Sequence, residues 1–269
     1  MAEWLQALVL GLVQGVTEFI PVSSSGHLVL VRQLLGWPDQ GLAFDAVLHL
    51  ATLTAVVIYF WREWRSMAIA VTTQKQTYEV RQARKLVGLI AVTTVPAIGV
   101  GLIAADWVGA TVRHVPQIAA LMLVTAVFMW IVEVIARPRR EIAKLNFWDS
   151  LSIGLAQAVA ILPGISRSGA TILTGMYHGL SREAAARYSF LAAGPVVALA
   201  GGYSLWQLSY DLNGTNDWLR LLIGFGASLV SGLLVIHWLL KFLNRHRLNI
   251  FAWYLILAGS GLLIFDWLK

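Results

Sequence analysis

Residues 11–27 read GLVQGVTEFIPVSSSGH, and residues 154–170 read GLAQAVAILPGISRSGA. Set against each other at an offset of 143, they share Gly11/Gly154, Leu12/Leu155, Gln14/Gln157 and Val16/Val159. Ser23, Ser25 and Gly26 likewise match Ser166, Ser168 and Gly169. Each stretch sits in an apolar region, 1–35 or 147–180, that Pro, Gly, Ser and a few charges interrupt. Each region therefore reads as two short half-helices around a polar break. Broken backbone at membrane depth survives only where protein or a water-filled cavity satisfies it.

The surrounding chain sets that depth. Of 269 residues, 58% are hydrophobic and only 13% charged, and the mean hydropathy is +0.71. A water-soluble domain carries about 25% charged residues, so the solvent of this chain is a bilayer. Six stretches lack Asp, Glu, Lys and Arg: 46–61, 86–105, 115–132, 188–210, 221–240 and 250–265. All six are expected to be transmembrane helices, the shorter ones extended or tilted. Trp61, Trp107, Trp130, Trp218 and Trp267 lie near span ends, as in an interfacial belt. With no cysteine, thiolate chemistry is excluded. The net charge of +6 does not indicate nucleic acid, because the basic residues sit between apolar spans. Glu3 is the first charge, so the first segment reads as mature protein and not as a cleaved signal.

Loop charges orient the chain. Segment 62–85 holds six Lys/Arg, 137–144 holds four and 241–247 three, against one in 106–114 and none in 211–217. The first three are expected in the cytoplasm and the last two outside. Region 147–180 then enters and returns from the cytoplasm, whereas 1–35 does so from outside, with both termini external. The fold expected is an all-α polytopic membrane protein with an inverted-topology repeat, about six full spans and two broken or re-entrant helix pairs. It forms one membrane domain, 1–269. Repeat one covers about 1–136, repeat two about 147–269, and a cytoplasmic linker covers 137–146. In such repeats, binding sites form near the midplane where broken helices meet.

The two breaks hold the chemistry. Arg167 stands among Gly164, Ser166, Ser168, Gly169 and Thr171. A Gly-rich turn entering a helix presents backbone N–H groups, and a guanidinium adds bidentate recognition of phosphate. An oxyanion site is expected; the plainer alternative is an ion pair with a carboxylate. Glu18, four residues after Gln14 and so on the same helix face, is a hard-cation ligand, a base, or the neutraliser of Arg167. Gln14 only donates and accepts hydrogen bonds. His27 follows Ser23, Ser24 and Ser25, so nucleophile activation or acid–base work is expected of it, against a role in packing. Asp45 and His49, four apart near a span start, are expected to pair behind the site. Glu133 and Asp266 are expected to reach the interface, and His237 to be packed or interfacial. Gly99, Gly101, Gly201, Gly202, Gly224, Gly226 and Gly232 are expected to allow close helix packing.

The segment from Gln14 to Glu18, followed by Pro21 to His27, resembles the first signature of the bacterial undecaprenyl-diphosphatase family (UppP, also called BacA). Pro163 to Thr171 resembles its second signature. Phe44-Asp45, Leu48 to Leu50 and Gly179 to Ala184 are similar to further family segments. The resemblance implies a hydrolase of the bacterial cytoplasmic membrane that converts undecaprenyl diphosphate to undecaprenyl phosphate and inorganic phosphate. It thereby implies recycling of the lipid carrier for peptidoglycan and cell shape, an association with bacitracin resistance, and an outward-open reactive face. It further implies a divalent cation, Mg²⁺ or Ca²⁺, at Glu18. Glu18, Ser24, His27 and Arg167 become the expected catalytic set, with Ser24, His27 or water attacking. Gln14, Ser23, Ser25, Gly164, Ser166, Ser168 and Thr171 become expected substrate partners. Gln14 stands where the family often has Glu, and Ser25 where Thr is common. The expected partners are a polyprenyl diphosphate and membrane lipids, with homo-oligomerisation left open. The rival reading is a lipid flippase or other transporter using the same phosphate clamp without hydrolysis.

Overall fold

The computed structural model describes residues 3–111, 114–137, 139–210 and 218–268. Loop 211–217 and the first two residues, on which the expected orientation partly rests, lie outside them. Eleven α-helices appear among the described residues: α1 (Glu3–Thr17), α2 (Ser24–Leu35), α3 (Leu42–Tyr59), α4 (Trp61–Thr72), α5 (Tyr78–Thr111), α6 (Val115–Ile135), α7 (Phe147–Val159), α8 (Arg167–Tyr177), α9 (Arg182–Tyr210), α10 (Trp218–Leu243) and α11 (Asn249–Trp267). The chain is thus an all-α polytopic membrane protein.

Four helices are short. α1, α2, α7 and α8 have 15, 12, 13 and 11 residues. At about 1.5 Å per residue, none reaches across a hydrocarbon core of about 30 Å. They pair as α1–α2 and α7–α8 around the two polar breaks. α5, α6, α9, α10 and α11 are each long and apolar enough to span. The stretch 46–61 differs from its expectation as a simple span. α3 turns by 78° into α4 at Phe60. The charges of Arg62, Glu63 and Arg65 begin there, and an amphipathic helix takes over. The basic segment 62–85 is consequently mostly helix. Arg84 joins its two parts, donating from Nε to the Ala70 carbonyl at 2.7 Å.

The packing partners of the two halves exchange. α1 lies along α10, whereas α7 lies along α5; α6 packs on α11 and α3 on α9. Matching glycines make both exchanged contacts. A Cβ on Gly11 would stand 2.4 Å from the Gly224 carbonyl oxygen, and one on Gly154 would stand 2.7 Å from that of Thr93. Gly201, Gly224 and Gly232 also meet neighbouring side chains, as expected. Gly99, Gly101, Gly202 and Gly226 do not: their open side meets nothing within 4 Å. The five tryptophans of the expected belt are all exposed.

Two ionic clamps hold the bundle ends. Arg140 ties the open end of the α7–α8 hairpin, donating to Asp149 Oδ2 at 2.7 Å and the His178 carbonyl at 2.5 Å. Glu133 was expected at the interface but is buried. Arg182 donates to both its oxygens, at 2.8 and 2.5 Å, and the Leu248 N–H donates to it at 2.8 Å.

Candidate functional site

The first break begins where α1 ends. Glu18 continues the helical hydrogen bonding, its N–H donating to the Gln14 carbonyl at 2.9 Å, and Pro21 then ends the helix. Ser23 caps α2, its hydroxyl accepting from the Gly26 N–H at 3.4 Å. Its φ of 72° makes it the only non-glycine with positive φ among the described residues. Such a conformation costs about 1–3 kcal/mol and persists only where surroundings enforce it. Here the second break does so, since the Gly164 N–H donates to Ser23 Oγ at 3.2 Å.

The second break mirrors the first. Ser166 caps α8 and accepts from the Gly169 N–H at 3.0 Å. Gly164, with φ 103°, lies flush on α6: a Cβ there would stand 2.5 Å from the Ile118 carbonyl oxygen. Ser168 Oγ donates to the Ile20 carbonyl at 3.3 Å. The two breaks are thus bonded together near the middle of the bundle.

Glu18 is the hub. Its carboxylate is buried and accepts from Gln14 Nε2 at 2.9 Å, from Ser24 Oγ at 2.5 Å, and from Arg167 Nη2. The ion-pair reading of Arg167 therefore holds in the structure. One guanidinium nitrogen neutralises Glu18, and the other, Nη1, is buried without a partner among the described residues. An unpaired buried donor of this kind costs a few kcal/mol unless a ligand meets it. Beside these groups opens a cleft of about 350 Å³. Thr17, Glu18, Ser23, Ser24, Ser25, Ser166, Arg167 and Ser168 form its polar end, with Asp45 and His49. Ile161, Ile165, Val196, Val197 and Ala200 form an apolar wall.

Four expected site residues do not line it. Gln14 is wholly buried behind Glu18. Gly164 spends its N–H on Ser23. Thr171 turns towards α9, 2.6 Å from Ser189 Oγ. His27 has both ring nitrogens engaged away from the cleft: Nδ1 is 2.8 Å from the Ser23 carbonyl oxygen and Nε2 is 2.6 Å from the Tyr254 hydroxyl. A carbonyl only accepts, so Nδ1 carries the hydrogen and Nε2 accepts from Tyr254. The Asp45–His49 pairing also differs from expectation. The Asp45 carboxylate is held by Arg32, whereas His49 Nδ1 bonds the Asp45 backbone carbonyl at 2.8 Å.

Sequence reasoning undervalued His49. Its signal was an imidazole in an otherwise uncharged span. It missed Tyr254 and Arg32 altogether, because their partners lie 227 and 13 residues away. Among the described residues, no three His, Cys, Asp or Glu side chains cluster as a metal cage.

Known proteins resemble the whole of this chain. The family model described as bacitracin resistance protein BacA matches residues 7–261. An undecaprenyl-diphosphatase of Teredinibacter turnerae is 39% identical over 262 residues, covering 97% of this chain and 99% of that protein. One from Alteromonas mediterranea is 38% identical over 260 residues, covering 97% of each chain. One from Saccharophagus degradans is 38% identical over 263 residues, covering 98% of each.

Proposed function

The chain belongs to the bacitracin resistance protein BacA family, and we propose that it hydrolyses undecaprenyl diphosphate in the cleft between its two breaks. It is a membrane phosphatase whose substrate is a polyprenyl diphosphate and whose products are the lipid monophosphate and inorganic phosphate. The observation that carries the site assignment is the unpartnered Arg167 Nη1, beside two helix N-termini and a row of hydroxyls, in a cleft with an apolar wall. Such a cleft suits an anionic head on an isoprenoid tail.

The chemistry follows from the contacts at Glu18. Ser24 Oγ already donates to Glu18 Oε2, so the carboxylate can take its proton as Oγ attacks the terminal phosphorus. The bond to the bridging oxygen breaks and undecaprenyl phosphate leaves. Water then attacks the phosphoserine and phosphate departs, with the proton returning to Ser24. Arg167 holds the phosphoryl oxygens through Nη1, where positioning and charge give phosphoryl transfer most of its help. His27 braces the Ser23 turn from behind.

A divalent cation fits these residues. The Glu18 carboxylate lines the cleft, and the buried Gln14 Oε1 beside it has no partner among the described residues. Glu18 would hold the cation together with substrate phosphate oxygens, the usual arrangement for Mg²⁺. When bound, the cation offsets the negative charge of the diphosphate. The basic segments support a reading in which α4 and residues 139–146 lie on the cytoplasmic side of a bacterial inner membrane. On that reading the start of α1, the end of α11 and the cleft belong to the outer side.

Phosphate release from undecaprenyl diphosphate by purified protein in detergent, with Mg²⁺ or Ca²⁺, tests this. Wild type releases phosphate; Ser24→Ala and Arg167→Ala release almost none. Absence of release from folded wild type with either ion would leave a lipid-binding or lipid-moving protein without chemistry.

A further inference from the structure

We propose that His49 Nε2 is a second protein ligand of the divalent cation, shared with Glu18 Oε2; the inference rests on reading Glu18 as the cation's carboxylate. His49 lies on α3, apart from both breaks, and lines the polar end of the cleft. Its Nδ1 is 2.8 Å from the Asp45 backbone carbonyl oxygen, which only accepts. Nδ1 therefore carries a hydrogen, and in the neutral ring Nε2 presents a lone pair. That lone pair stands 3.7 Å from Glu18 Oε2.

Two acceptors thus face each other at a distance too long for a hydrogen bond. A positive centre between them resolves the opposition. A divalent ion with ligand distances of about 2.0–2.6 Å reaches both atoms across such a gap. The backbone carbonyl on the far ring nitrogen is the outer support that metal-ligating histidines usually have. A second observation points the same way. Gln14 is fully buried, its amide bonds the same Glu18 oxygen, and its Oε1 has no partner. An acceptor left without a donor beside Glu18 suits the neighbourhood of a positive centre. Asp45 is not a rival ligand, because Arg32 holds both its oxygens.

The donor set makes a prediction about the ion. Imidazole nitrogen favours Mn²⁺, Co²⁺ or Zn²⁺ over Ca²⁺, which prefers oxygen alone. Two protein ligands also leave most of the shell to substrate phosphate and water, in keeping with the lack of a three-residue cage among the described residues.

The test is pulsed electron paramagnetic resonance of Mn²⁺ bound to the purified full chain in detergent, with a nonhydrolysable methylene diphosphonate present. Wild type shows modulation from a directly coordinated ¹⁴N. In His49→Gln that signal disappears and Mn²⁺ binds at least about tenfold more weakly. In Glu18→Gln bound Mn²⁺ is lost. Bound Mn²⁺ without nitrogen coupling in wild type, or coupling that survives in His49→Gln, overturns the His49 assignment and leaves Glu18 in place. No bound Mn²⁺ in wild type, from a preparation that releases phosphate, overturns the Glu18 reading with it.

Discussion

The two breaks are built alike and equipped differently. In each, a serine caps the second half-helix and a glycine three residues later gives the N–H it accepts: Ser23 with Gly26, Ser166 with Gly169. In each, a second serine follows at the third position, Ser25 or Ser168. Between those serines the offset of 143 places Ser24 opposite Arg167, and it places Glu18 opposite Ile161. One scaffold position thus carries the hydroxyl in one half and the guanidinium in the other. Where one half carries a carboxylate, the other carries an apolar wall residue. A similar frame brings two helix N-termini together, and in the proposed mechanism the asymmetry of a few side chains makes one break the reactive one and the other the phosphate clamp.

The sharpest way to break this division is to remove each half's unique group. Ser24→Ala should cost at least about 10³-fold in kcat, with lipid binding retained, since only the attacking atom is lost. Arg167→Ala should cost about 10³-fold in kcat/KM, because it removes the clamp and strips Glu18 of its counter-charge. Arg167→Lys should recover little of it, since an ammonium cannot serve Glu18 and the substrate as a fork does. Steady-state phosphate release gives all three values. Full turnover in Arg167→Lys would remove the bidentate role.

How much of this arrangement was legible in the sequence depends on how far apart the partners lie. The half-helices, the breaks and the offset are local patterns, and the helices fall where apolar runs, Pro and Gly put them. The Glu18–Arg167 meeting was legible as well, because two ionisable residues at membrane depth need partners. The bend after Tyr59 was hidden, since a span rule counts apolar residues and says nothing about where a helix turns. Which face of α2 meets the cleft was hidden too. His27 and Ser24 are three residues apart, yet Ser24 looks at Glu18 and His27 looks at Tyr254 on α11. Only long-range packing decides that. For the same reason His49, from a helix between the repeats' breaks, entered the site unexpectedly.

A smaller effect separates the two caps. Ser23 has φ 72° and Ser166 has φ −76°. At both caps alanine is expected to be worse than glycine by about 1 kcal/mol, because a cap alanine loses the hydroxyl and gains nothing. At Ser23 a further cost of about 1–2 kcal/mol falls on alanine alone, since positive φ suits glycine. Unfolding by titration with denaturing detergent should show the Ala–Gly difference to be larger at 23 than at 166. Equal differences would mean that the turn at Ser23 relaxes once its hydroxyl is gone.

The smallest expected effect tests what His27 does. If its ring only braces the Ser23 carbonyl, Tyr254→Phe removes one hydrogen bond from the far side and leaves Ser24, Glu18 and Arg167 untouched. The buried Nε2 then lacks a donor, at a cost of about 1–3 kcal/mol in stability. The imidazole keeps its Nδ1–H on the Ser23 carbonyl but loses its second anchor, and the first break loses part of its hold. A fall of roughly 3–10-fold in kcat is expected, with little change in KM, because the phosphate clamp belongs to the other break. The second break has Ala170 where the first has His27 and so has no matching brace. A loss in Tyr254→Phe as deep as that in Ser24→Ala would put the His27 ring on the reacting atoms, and the first break would then carry two catalytic side chains beside Glu18.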